Sequence, residues 1–187
     1  MLNNKNIDNL KIHKLLESDG KNEQEAMDFI RKKDNEWIYL FDKTGKQTAR
    51  YEGNENYVNP PEVQLLLRLN NATVVHNHPS SESFSLEDIE AIVRYNAKKI
   101  IVVSLEYTYI AERSDNFWRF DLQHNEQDII FLEECKVQAE RTLARMRNQG
   151  FIDTTQKNED FNHYVWKYFF EDKNISYERV RYRKNDN

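Results

Sequence analysis

The sequence has a single cysteine, Cys135, among its 187 residues. One thiol can form neither an internal disulfide nor a zinc site built from several thiolates. Cys135 falls within a helical pattern, and buried free cysteines are commonly inert, so we interpret it as a structural thiol rather than a nucleophile. The absence of a PCxxC segment also excludes a zinc deaminase, which takes thiolate ligands from such a segment.

The chain also lacks a basic surplus, since 27 lysines and arginines stand against 32 aspartates and glutamates, for a net charge of -5. A protein that tracks nucleic-acid phosphates normally carries an excess or a stripe of basic residues. The one concentrated basic stretch, "ERVRYRKNDN", is typical of a solvated tail. The composition therefore disfavours nucleic acid as a partner.

Long apolar runs are missing as well: no segment approaches the roughly 20 apolar residues that a transmembrane helix requires. The amino terminus, "MLNNKNIDNLKIHKLL", lacks the apolar stretch of a secretory signal. We therefore expect a cytoplasmic protein with no membrane partner.

The patterns that are present predict a mixed α/β (α+β) fold, in which helices sandwich a mixed sheet and further helices follow. Helices are predicted for residues 22–34, 60–71 and 85–96, from about 125 to a stop at Gly150, and for 161–170. Strands are predicted for residues 36–42, 47–53, 72–77, 98–104, 107–113, 116–122 and 175–182. The run "KKIIVVS" (98–104) is almost continuously apolar, which is typical of an interior strand covered on both faces.

Two of the five histidines lie one residue apart, at the end of the predicted strand "ATVVHN". A strand sends alternate side chains to opposite faces, so His76 and His78 point the same way, about 6–7 Å apart. Two such imidazoles can bind one zinc through bonds of about 2.0–2.1 Å. Asp88, in the first turn of the next helix, can reach back as a third ligand. Three protein ligands and one open position are typical of catalytic zinc.

A metal-free interpretation of the same stretch is open. Ser85-Leu86-Glu87-Asp88 resembles a capping box, in which the serine hydroxyl accepts from a backbone amide and the acid reaches back. Two histidines at a strand end could be exposed by chance. The two interpretations of Ser85 are compatible, because a cap determines where Asp88 points.

His76-x-His78-Pro79 followed by Ser85-x-x-Asp88 resembles the JAMM motif of the JAB/MPN metalloproteases, and "HNHPS" is closest to the bacterial RadC-type and phage-associated branch. The order of predicted elements is also similar over residues 22–121. The resemblance implies that the three residues His76, His78 and Asp88 bind Zn²⁺. It also implies a JAB/MPN-like domain over 22–121. Outside that range, the Asn-, Lys- and Asp-rich residues 1–21 predict a loosely attached amino-terminal arm with some helix, and the helical pattern predicts a helical extension over 122–187 packed on the same domain.

The family's general base is an upstream glutamate, and this role falls best on Glu36, directly before the strand "WIYLF". Glu52 and Glu55 are alternatives in the next loop. Ser85 would assist the oxyanion. The sequence departs from the family pattern in two ways: the six residues between His78 and Ser85 are one fewer than usual, and Ser81 stands where glycine is common.

The resemblance implies a zinc metallopeptidase that cleaves a peptide or isopeptide bond, with a protein or peptide substrate and possible action at the carboxy terminus of a ubiquitin-like protein. The alternative is a JAMM-like binding module that keeps the metal but has little catalysis and works through protein or nucleic-acid partners. An HNH nuclease is disfavoured, because its histidines and asparagine are spread over a ββα unit rather than consecutive. For His13, His124 and His163 we expect surface or structural roles.

Overall fold

The computed structural model describes residues 15–79, 82–152 and 159–183. Within these ranges the chain forms seven strands and five helices. In order, they are β1 (Leu15–Leu16), α1 (Glu23–Ile30), β2 (Trp37–Phe41), β3 (Gln47–Glu52), α2 (Glu62–Arg68), β4 (Thr73–Asn77), α3 (Leu86–Arg94), β5 (Lys99–Val103), β6 (Tyr107–Glu112), α4 (Glu126–Asn148), α5 (Glu159–Asp172) and β7 (Ser176–Arg181). None of the helices in the described ranges combines the length and apolarity needed to cross a membrane.

All seven strands belong to one sheet, in the order β1-β3-β2-β4-β5-β6-β7. β4 and β5 run parallel, whereas the other neighbouring pairs are antiparallel. A parallel pair needs a crossover connection, and α3 provides it between β4 and β5. The mixed α/β class expected from the sequence is therefore observed.

The interior position expected for "KKIIVVS" is confirmed. β5 pairs with β4 on one side and with β6 on the other. Ile100, Ile101, Val102 and Val103 are all at most 2% exposed. An apolar run without alternation is what a strand covered on both faces requires.

The two faces of the sheet carry different helices. Against one face, α1 packs Ala26 and Ile30 on a cluster that includes Tyr39 and Val75. The opposite face carries a larger cluster to which α2 to α5 contribute. Because side chains alternate along β4, His76 lies on this second face with Val74, and Asn77 lies on the α1 face with Val75.

The carboxy-terminal third joins the same core. Leu132 of α4 and Phe169 of α5 belong to the cluster that covers the second face, and β7 extends the sheet beside β6. α4 ends where the sequence predicts, since Gly150 has a φ of +73°. Its backbone N–H donates to Arg147 O at 3.0 Å, which satisfies a carbonyl of the last helical turn.

The strand predicted for residues 116–122 is wrong, because this segment is irregular. The alternation of apolar and polar residues in this segment has another cause. Trp118 and Phe120 are both buried, although the segment pairs with none of the described strands. The indole Nε1 of Trp118 donates to Ala97 O at 2.8 Å, and the ring of Phe120 lies 5.0 Å from that of Phe169.

The described part of the amino-terminal arm, residues 15–21, contains a short strand and no helix. Residues 1–14, including His13, lie outside the described residues. Leu15 and Leu16 form β1, which pairs with Tyr51 and Arg50 of β3. Asp19 then accepts hydrogen bonds from Tyr39 Oη and Arg50 Nη1, both at 3.0 Å, which ties the described part of the arm to the sheet.

Candidate metal centre

The register of β2 on β4 brings one acid opposite the histidine pair. Ile38 is the partner of His76 in this antiparallel ladder. Glu36 directly precedes β2 and His78 directly follows β4, so the same register continued past the strand ends brings the two residues opposite each other. Both line one cavity with His76. The backbone of Glu36 is held by Asn54, whose carbonyl accepts its N–H at 2.7 Å, and by Gly53, whose N–H donates to it at 2.8 Å.

Asp88 reaches the same point from α3. Its Oδ1 lies 3.4 Å from His76 Nε2, and its Oδ2 lies 3.3 Å from His78 Nε2. The ligand atoms that the three residues offer all lie within 4.8 Å of one another. His76, His78 and Asp88 are therefore close enough to bind one metal ion.

The two histidine–aspartate distances are longer than direct hydrogen bonds and are compatible with a shared cation. Bonds of about 2.0–2.1 Å at tetrahedral angles separate neighbouring ligand atoms by about 3.3–3.4 Å. A charged N–H···O hydrogen bond is shorter, at about 2.7–2.9 Å. Among the described residues, the buried Nε2 of His76 also has no hydrogen-bond partner. A metal ion would satisfy this nitrogen.

A backbone carbonyl orients the second histidine. His78 Nδ1 lies 2.9 Å from Ser83 O, which can only accept, so Nδ1 carries the proton. In the neutral imidazole, which is the form that binds a metal, the lone pair is then on Nε2, the atom that faces Asp88. Histidine ligands of metals commonly have their other ring nitrogen bound in this way.

Burial and charge act against each other at the centre. Burial alone would lower the pKa of His78, but the Asp88 carboxylate, helped by Glu36, raises this pKa to about 9. Burial alone would likewise raise the pKa of Asp88, but His76 and His78 hold it well below its usual range. In the metal-free chain His78 is therefore protonated near neutral pH, and its positive charge balances the negative charge of Asp88.

The predicted capping box of α3 is present, and it orients the third ligand. Asp88 N donates to Ser85 Oγ at 3.1 Å, while Ser85 N donates to Asp88 Oδ2 at 2.8 Å. The hydroxyl of Ser85 acts as an acceptor in this cap, so its own hydrogen is available to a ligand in the cavity. The metal-free and metal interpretations of this segment are thus both compatible with its geometry.

Glu36 lines a cavity of about 330 Å³ together with both histidines, Ser85 and Asp88. Burial raises the pKa of Glu36, with a further contribution from the negative charge of Asp88, while the two histidines oppose the shift. The alternative bases, Glu52 and Glu55, are exposed outside this cavity.

Sequence reasoning missed the role of Asn77, which lies between the two histidines and points to the opposite face. Its buried Oδ1 accepts from Trp37 N at 2.8 Å, and its Nδ2 donates to Asn35 O at 3.0 Å. These contacts hold the backbone on both sides of Glu36. Because Asn77 faces away from the histidines, it cannot share in an HNH-type site with them.

The remaining candidates have other surroundings. Burial raises the pKa of the Cys135 thiol to about 11, which fits an inert structural thiol. His124 is exposed beside Asp121, and His163 bonds to Tyr177 Oη at 2.8 Å. Ser81 lies outside the described residues. The short loop nevertheless leaves Asp88 in reach of both histidines.

Comparison of the chain with protein families, with curated proteins and with solved structures finds no match among them. The geometry of the centre itself is therefore the basis on which a function can be assigned.

Proposed function

We propose that the chain is a zinc-dependent hydrolase of the JAMM type, built on a JAB/MPN-like domain, and that it cleaves a peptide or isopeptide bond. One observation carries the proposal: His76, His78 and Asp88 offer ligand atoms within 4.8 Å of one another, in a cavity that Glu36 also lines. A metal site built only for stability would be closed by a fourth protein ligand.

Two imidazoles and one carboxylate are a ligand set that zinc prefers, and the unpartnered Nε2 of His76 fits such an ion. Zinc bound there would polarise a substrate carbonyl and make water a better nucleophile near neutral pH. The buried environment that raises the pKa of Glu36 suits a general base. Glu36 would take a proton from the attacking water and deliver it to the leaving amine.

Ser85 has the second catalytic role in the proposal. Its hydroxyl lines the cavity, and the cap of α3 leaves the hydroxyl hydrogen free to donate. Donation to the developing oxyanion would stabilise the transition state. Candidate substrates are peptides and proteins joined through a ubiquitin-like carboxy terminus.

The first part of the test measures the metal. Purified chain should bind one zinc, and His76→Ala/His78→Ala should lose it, because the double variant removes two of the three ligands. Mass-spectrometric metal analysis after dialysis against zinc gives the stoichiometry. Full zinc retention by the double variant would contradict the proposed ligand set.

The second part separates a hydrolase from a binding module. Glu36→Gln should keep the zinc and the fold but lower hydrolysis by about 10²–10⁴, the usual contribution of a positioned acid–base group. Glu52→Gln is the matched control, since this acid lies outside the cavity and should leave the rate unchanged. Substrates are a mixed peptide library and ubiquitin-like isopeptides. Zinc binding without any cleavage would favour the binding module.

A further inference from the structure

A second cavity, of about 230 Å³, adjoins the metal centre. The two cavities share the walls formed by Ile38, Val58, His76, Glu87 and Asp88. Two of the three candidate metal ligands, His76 and Asp88, therefore stand at the boundary between the two cavities.

The second cavity is apolar over most of its wall. It lies between α2, α3 and the sheet, and its apolar side chains come from all three: Leu40, Leu65, Leu69, Val74, Ala91 and Ile92. Polar groups are confined to His76, Glu87, Asp88 and Asn59. An apolar recess with polar groups at one side suits a ligand whose side chain is apolar and whose backbone is polar.

Its size admits one large side chain. An apolar cavity of about 150 Å³ in another protein holds a benzene molecule. The volume of about 230 Å³ therefore accommodates a leucine or phenylalanine side chain. α2 closes the cavity with Leu65, which is only half-buried, while the next residue, Leu66, is 60% exposed on the outer side of the helix.

We infer that this cavity receives an apolar side chain of the substrate, from a residue that flanks the bond to be cleaved. The inference rests on the proposed function, because the metal centre marks where the reacting bond lies. It narrows the substrate class to peptides or isopeptides with a branched aliphatic or aromatic residue beside that bond. Acidic side chains at the same position are excluded by the apolar wall and by the carboxylates of Glu87 and Asp88.

Binding can be measured without catalysis. The full chain, with methyl groups labelled for NMR, is titrated with N-acetyl-leucine N-methylamide and separately with N-acetyl-alanine N-methylamide, with and without zinc. The leucine compound should shift the methyl signals of Leu65, Val74 and Ala91. It should bind about tenfold or more tightly than the alanine compound, since a single methylene in an apolar pocket is worth about 10–200-fold.

Two pairs of variants localise the site. Ala91→Phe fills the cavity and should abolish binding of the leucine compound, whereas Val93→Phe, on a different face of α3, should not. Leu65→Ala widens the cavity and should reduce the preference for leucine over alanine. Leu66→Ala makes the same change on the outside of α2 and should leave the preference unchanged. Thermal unfolding of each variant controls for loss of fold.

The inference is overturned if the leucine compound leaves these methyl signals unmoved. It is also overturned if Leu65→Ala keeps the full preference for leucine over alanine, as Leu66→Ala is expected to do. Its failure differs from failure of the hydrolase proposal. If the chain cleaves peptides with equal kcat/KM for leucine and alanine at every flanking position, the pocket has no role in specificity but the hydrolase proposal stands. If the chain binds the leucine compound but cleaves no substrate, the apolar pocket is real and the hydrolase proposal is wrong.

Discussion

Asn77 shows how one residue can link two parts of the candidate site. The histidines on either side of it face the candidate metal centre, while its own side chain holds the backbone around Glu36 from the other face of the sheet. The position of His76 and His78 on one face could be predicted from the sequence, because it follows from strand periodicity alone. The contact of Asn77 could not, since it depends on the pairing of β4 with β2 across a long separation in sequence.

We predict that Asn77→Ala lowers kcat by about 10²-fold, because loss of its hydrogen bonds allows Glu36 to move, and a shift of about 1 Å has this effect on a reacting group. Zinc affinity should not change, because Asn77 is not a ligand. Rate measurements and zinc titration test both points. The free energy of unfolding should also fall by about 1–3 kcal/mol, since Trp37 N–H is left buried and unpaired.

Thr73→Ala is the matched control, since Thr73 is a buried polar residue at the other end of β4 and on the same face. It should lower stability without a specific fall in kcat. If Asn77→Ala loses stability but keeps kcat, Asn77 supports only the fold and does not position Glu36.

At the scale of elements, the first turn of α3 carries both a capping interaction and a candidate metal ligand, Asp88. The capping box could be predicted from Ser85-x-x-Asp88, and so could the helix, because local hydrogen bonds determine both. Two features that depend on distant partners, β1 and the irregular segment 116–122, were not predicted. β1 exists because β3 offers it an edge, and residues 116–122 are irregular because Trp118 bonds to the carbonyl of Ala97 instead of a strand partner.

Ser85→Ala should separate the cap from the chemistry. Loss of the cap should lower the free energy of unfolding by about 0.5–2 kcal/mol. If the hydroxyl also donates to the oxyanion, kcat should fall by a further 10²–10³ or so. Urea unfolding and initial rates give the two quantities, and zinc content shows whether Asp88 keeps its place.

α1 offers a matched control for this variant. Asn22 caps α1 with Glu25 in the same type of capping box, on the face of the sheet away from the metal centre. Asn22→Ala should cost a similar free energy and leave kcat unchanged. If Ser85→Ala and Asn22→Ala have the same kcat, Ser85 does not stabilise the oxyanion and acts only as a helix cap.

For the molecule as a whole, the class of fold followed from the sequence but the strand order did not. Periodicity predicts which segments are strands, yet the sheet order depends on which apolar faces pack together in space. The carboxy-terminal segment illustrates this: β7 was predicted as a strand, and its place beside β6 puts His163 of α5 against Tyr177. No local pattern of residues indicates that contact.

This carboxy-terminal packing should make stability depend on pH. Burial, together with the positive charge of Arg179, lowers the pKa of His163 to about 4. The unfolded chain binds a proton there near pH 6.5, whereas the folded chain does not until about pH 4. The contribution of His163 to stability is therefore full above pH 6.5 or so and is lost as the pH falls towards about 4. The loss should approach about 1.4 kcal/mol per pH unit, or about 3 kcal/mol over this window.

Urea unfolding at a series of pH values from about 7 to 4 tests this prediction. His163→Gln keeps a hydrogen-bond partner for the half-buried Tyr177 but cannot titrate, so the stability of this variant should fall less over this range. His124→Gln is the control, because this histidine is exposed and its replacement should leave the slope close to that of the unsubstituted chain. If the free energy of unfolding of His163→Gln falls with pH as steeply as that of the unsubstituted chain, the pH dependence comes from groups other than His163.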